Sequence, residues 1–209
     1  MCGECGRVSS RYAAAYSVAG IGLMLVGFGF ILAGITSLFS SGGAGLLGLV
    51  LAVVGLVLFF MEWSRYGAEE RRLSVYAVIL YIVGEVIVVL AGAAVYALDV
   101  TSRSLFHVSS PLSGAVQALG GAFGGIMIYL AFLLFPYGFA GRDEKTILLV
   151  GLIGGLIVSV VLNPLSIGGS LYAISGANIA GLAGLVSAVV SLIFGVAYLV
   201  IGNNVRVRH

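Results

Sequence analysis

The chain has 209 residues, of which 61% are hydrophobic and 9% charged, with a formal net charge of +2 and a mean hydropathy of +1.19. Soluble globular domains carry about 25% charged and about 45–50% apolar residues, so this composition excludes an ordinary water-exposed surface and predicts an all-α, polytopic integral membrane protein. At about 20 residues per spanning helix, six spans nearly exhaust the length and leave no room for a soluble catalytic domain.

Residues 1–15 read as a short polar tail beginning MCGECG, with Cys2 and Cys5 in a C-x-x-C-G turn. The turn resembles one knuckle of a zinc ribbon, in which two thiolates hold half of a tetrahedral site. Zinc shared with a second copy or a partner would complete it, and His209 would lie on the same side. Two alternatives stay open: a tail without a ligand, and a redox pair, a structural disulfide being disfavoured by a reducing cytoplasm.

Six apolar runs follow, at about 16–39, 46–60, 74–98, 114–135, 147–162 and 177–202, before a C-terminal tail at 203–209. The first is too long for the apolar core of a signal peptide, about 7–15 residues. The second is the shortest. All six must be helical, because backbone groups in lipid need partners within their own segment, and continuous runs of this length do not suit barrel strands of about 9–11 residues. Six spans put both termini on one side. That side then receives nine of the ten basic residues, and the other only Arg103. By the positive-inside rule the termini are cytoplasmic, which predicts a six-helix bundle in the cell membrane. Basic residues used this way give no patch for nucleic acid.

Thirty-two glycines suit helix association in lipid, where small residues let backbones approach. Gly120 and Gly124, Gly121 and Gly125, and Gly151 and Gly155 form Gly-x-x-x-Gly pairs. The fifth helix continues its stripe through Ser159 and Asn163. The sixth carries Ala180, Gly184, Ser187, Ser191, Gly195 and Tyr198 on one face. Ala44–Leu56 also matches Ala180–Leu192 at ten of thirteen positions, open to reading as a duplication or as biased composition.

Glu85 is the only charged side chain well inside a span, near the middle of the third. A central ionisable group costs about 2.5–3.5 kcal/mol on insertion scales, so a partner is expected. Ala77, Tyr81, Val88, Gly92 and Tyr96 share its face, which is expected to point into the bundle. Tyr81 lies one turn away, and Ser187 and Ser191 match its depth. Tyr129, Gln117 and Ser159 are further candidates. The site so defined is Glu85, Tyr81, Ser187 and Ser191, serving as neutral structural glue, as a site for a proton, cation or solute, or as a contact with another subunit.

Catalytic chemistry finds no support. Both histidines, at 107 and 209, lie outside the spans, which excludes a haem between membrane histidines, an H-E-x-x-H zinc site and a membrane Ser-His pair. Asp143 and Glu144 suit a helix N-terminus better than a catalytic dyad. The expectation is therefore a non-enzymatic multi-pass protein: a structural or accessory subunit that meets lipid and a membrane partner or its own copies. The alternative is a small transporter or solute-binding subunit centred on Glu85.

Overall fold

The computed structural model describes residues 3–39, 42–106, 111–165 and 176–208, with side chains over 16–38, 46–102, 112–165 and 181–207. The described residues form six long helices and no strand. They are α1 (Gly3–Phe39), α2 (Gly42–Met61), α3 (Ala68–Phe106), α4 (Pro111–Tyr137), α5 (Arg142–Ile157) and α6 (Gly176–Arg208). A short 3-10 turn, Trp63–Arg65, links α2 to α3, and α5 runs on through a π-helical turn, Val158–Leu162. Five stretches are long and apolar enough to cross a membrane: Tyr16–Leu38, Ala68–Ser102, Leu112–Tyr137, Arg142–Leu165 and Gly181–Val207. Leu46–Met61 is apolar but shorter. Such helices are those of a membrane protein.

Several helices outrun their apolar stretches, because a helix satisfies its own backbone in water as well as in lipid. α1 reaches back to Gly3, through what composition alone reads as a tail, and α3 reaches forward to Phe106, through much of the expected polar loop. The beginning of α3 is fixed locally: the Glu70 carboxylate reaches back to accept the Gly67 N–H at 2.5 Å, half of a capping box. Pro111 opens α4 at the position where its missing N–H costs nothing.

Glycines determine which helices meet. On one face of α1, Gly20, Gly27 and Gly34 recur every seven residues and meet the Gly202, Gly195 and Ala188 backbone of α6; on the other, Gly22 and Gly29 meet Gly55 and Gly48 of α2. The approach is close enough that a Cβ at Gly20 would lie 2.5 Å from the Gly202 carbonyl oxygen, and one at Gly55 would lie 2.5 Å from that of Gly22. Gly84 of α3 meets Gly124 of α4 in the same manner, and Gly125 makes room for Ser159, which is buried in the π-helical turn of α5. In every pair one number rises as the other falls, so packed neighbours are antiparallel.

The helices pack in the order α2, α1, α6, α5, α4, α3 around an arc. Among the described residues α2 and α3 share no extended packing, and the arc stays open there. Of the expected Gly-x-x-x-Gly pairs, Gly120 and Gly124 face α3, Gly151 faces Phe194 and Gly155 faces Tyr129, whereas a side chain at Gly121 would meet open space. The matching segments of α2 and α6 are used differently: Gly48 packs on α1, but its counterpart Gly184 has open space before it.

Candidate functional site

One end of the bundle is closed by aromatic side chains. Phe59 at the end of α2 packs on Phe135 (4.4 Å between ring centroids) and Phe139 (5.4 Å), and Tyr66 covers both Phe59 (5.1 Å) and Phe139 (5.2 Å). The Tyr66 hydroxyl donates to the Phe59 carbonyl, which turns the chain back from α2 into α3. Burial pushes the Tyr66 phenol well above its ordinary range, and Glu62, Tyr16 and Glu70 nearby reinforce the shift. Polar ties bind the helix ends around this plug. Tyr16 of α1 donates to Glu70 of α3 at 3.3 Å, and Asn204 of α6 donates to the buried Glu144 of α5 at 2.5 Å. Glu144 therefore links two helices and does more than favour a helix terminus, a role that spacing alone does not show.

Beyond this plug lies a cavity of about 560 Å³ at the open seam between α2 and α3. Its rim carries Leu49 and Val53 of α2 and Tyr81 of α3, all exposed; its back wall is formed by Ala131 and Phe135 of α4 and Tyr198 of α6, all buried. Phe30 of α1, Phe60 of α2 and Phe132 of α4 complete an aromatic lining. Phe30 and Phe132 meet edge to face at 4.7 Å, and the Tyr81 ring lies 6.0 Å from Phe132. The size falls within the range of about 300–1,000 Å³ for small-molecule sites.

The back wall holds its shape through one hydrogen bond. Pro136 lies inside α4 and has no N–H to give the carbonyl four residues earlier, so Phe132 would lose its helical partner. The Tyr198 hydroxyl donates to that carbonyl at 2.8 Å. An orphaned, partly buried acceptor is thereby satisfied from the neighbouring helix, and the Tyr198 ring is held parallel to Phe135.

The structure brings Tyr81 and Glu85 together. They are electrostatic neighbours one turn apart on α3, with Tyr81 at the cavity rim and Glu85 half-buried beside it. Ser187 instead pairs with Tyr129 of α4, a further candidate, and Ser191 is half-buried on α6. α3 and α6 share no extended packing among the described residues, so the helix that carries both serines is not laid against the Glu85 helix. The α3 stripe turns inward at one end only: Ala77 is buried, Tyr81 is 42% exposed and Tyr96 is 73% exposed. Further along it, Gly92, Val95, Tyr96, Asp99 and Val100 line a second cavity of about 260 Å³, where Asp99 Oδ1 is buried without a hydrogen-bond partner among the described residues.

Cys2 and His209 lie outside the described residues, as does the side chain of Cys5. Among the described residues no three His, Cys, Asp or Glu side chains gather in a way that would hold a metal ion. Comparison with known proteins finds no matching family model, no matching curated protein and no matching solved structure.

Proposed function

We propose that the protein is a non-enzymatic membrane protein of six crossings, with both termini cytoplasmic, that binds a hydrophobic solute between α2 and α3 as a small transporter or solute-binding subunit. The observation that carries this reading is the aromatic-lined cavity of about 560 Å³ opening sideways between two helices. In a bilayer that opening faces acyl chains, so a solute dissolved in the membrane would enter without crossing water. An apolar lining with few polar groups is the usual make-up of a small-molecule site. Six crossings are supported by the antiparallel neighbours and by the meeting of Tyr16, Glu70, Glu144 and Asn204 near one end. That end also carries the basic residues expected in the cytoplasm.

The test is stoichiometric binding of a neutral apolar dye, Nile red, to purified protein. Ala131→Phe, which fills the back of the cavity, is expected to abolish binding while leaving the protein folded. Unchanged binding in that variant contradicts the reading.

A second reading, a structural or accessory subunit of a membrane complex, is favoured by α3, which among the described residues packs extensively only on α4 and leaves Val86, Val89 and Leu90 exposed. A membrane protein copurifying in fixed ratio, released by polar substitutions on that face, would support it. The Cys2 and Cys5 pair retains its reading as half of a shared zinc site; zinc content unchanged after both are replaced by serine would rule that out.

A further inference from the structure

The geometry points to a lipophilic cation as the occupant of the α2–α3 cavity: a bulky aromatic or alkyl body seated among the rings, its positive charge balanced by Glu85. This rests on the cavity being a binding site and adds the charge of the ligand.

Three observations lead to it. The lining offers almost no polar group besides the hydroxyls of Tyr81 and Tyr198, and the latter is committed to the Phe132 carbonyl. A ligand with several hydrogen-bonding groups would leave them unmatched, so its body must be apolar. The walls present the rings of Phe30, Phe60, Tyr81, Phe132, Phe135 and Tyr198, whose faces attract a desolvated cation. The charge balance of the region is also one-sided. Between Arg72 and Arg103 α3 carries no basic residue, and Glu85, near the middle of that stretch, has no ion-pair partner among the described residues. Glu85 lies one turn beyond the rim residue Tyr81 on the same face of α3, and a carboxylate within a span is costly until a cation balances it.

Competing occupants fit less well. A lipid acyl chain would use the apolar walls but leave the acid unbalanced. A partner's helix, about 10 Å across with its side chains, suits an open groove more than a recess ending on Ala131 and Tyr198.

The experiment displaces Nile red from purified protein with tetraphenylphosphonium or with tetraphenylborate, ions of the same shape and opposite charge, using Ala131→Phe protein as the background for both. The cation is expected to displace the dye at a concentration at least about tenfold lower than the anion, because opposite charges attract strongly in a medium of low dielectric constant. Glu85→Gln should remove that preference while still binding the dye, and Glu85→Asp should retain most of it. If the glutamine variant fails to fold, the comparison of the two ions on the native protein decides alone. Equal displacement by both ions, or a preference that survives Glu85→Gln in folded protein, overturns the inference and leaves the cavity as a neutral hydrophobic site. Failure of Nile red itself to bind overturns the cavity reading, and this inference with it.

Discussion

The two flanks of α2 show opposite kinds of packing. Toward α1, glycines seven residues apart bring backbone against backbone, so that Gly22 and Gly55 leave no room for even a methyl group. Toward α3 there is no such row, and aromatic and small residues surround a space of about 560 Å³. Lipid supplies little hydrophobic drive for helix association, so close approach must be built from small side chains. Where no interlocking row of them forms, as between α2 and α3, the helices stand apart and leave space a solute could fill. The tight flank is thus the scaffold and the open flank the proposed site.

This contrast is most severely tested by glycine substitution. Gly22→Ala and Gly55→Ala are expected to cost about 3 kcal/mol each, the upper end of the usual overpacking range, because the obstruction is backbone that cannot step aside. Gly92→Ala and Gly121→Ala, where a Cβ meets open space, should be close to neutral. Reversible unfolding in mixed micelles would compare the four, and equal losses would break the claim that backbone contact makes the α1–α2 flank tight.

Smaller effects sharpen the boundary between them. Tyr198→Phe should cost about 2 kcal/mol by orphaning the Phe132 carbonyl, and should weaken dye binding because the back wall loosens. Asn204→Ala is expected to cost about 1–2 kcal/mol by leaving the buried Glu144 without its donor; dye binding should not change, since that tie lies outside the cavity. Tyr66→Phe should have the smallest effect at neutral pH, about 1 kcal/mol for one hydrogen bond. The folded protein holds the Tyr66 proton more tightly than the unfolded chain does. Its contribution is therefore complete below a pH of about 10 and is lost as the pH rises beyond that. Urea titrations from pH 8 to 11 should show a shallower alkaline decline in the variant.

Much of the fold is legible in the residues, because a continuous apolar run has one structural solution in lipid. The six runs reappear as helices, with ends moved where amphipathic turns such as Ala68–Leu73 extend them. Partner choice is less legible. Reading glycines at a spacing of four found Gly120 and Gly124, but the seven-residue rows of α1 go unnoticed unless Gly20, Gly27 and Gly34 are set against Gly195 and Gly202. The pairing of Glu85 with Tyr81 is local to one helix turn and can be anticipated. Its place beside an open seam cannot, since a single helix face does not reveal whether a neighbour covers it. Pro136 carries a usable signal: a proline inside an apolar helix announces an orphaned carbonyl and calls for a donor such as Tyr198.

The central claim, that Ala131 borders empty space while equally buried alanines on the scaffold side do not, is tested most directly by the thermal stability of Ala131→Phe against Ala197→Phe. Both alanines are almost wholly buried, at 2% and 0% exposure. The account predicts that the ring at 131 enters the cavity and leaves the melting temperature unchanged or raised, while the ring at 197 lowers it sharply or prevents folding. Equal destabilisation by the two would show that there is no space between α2 and α3 to fill.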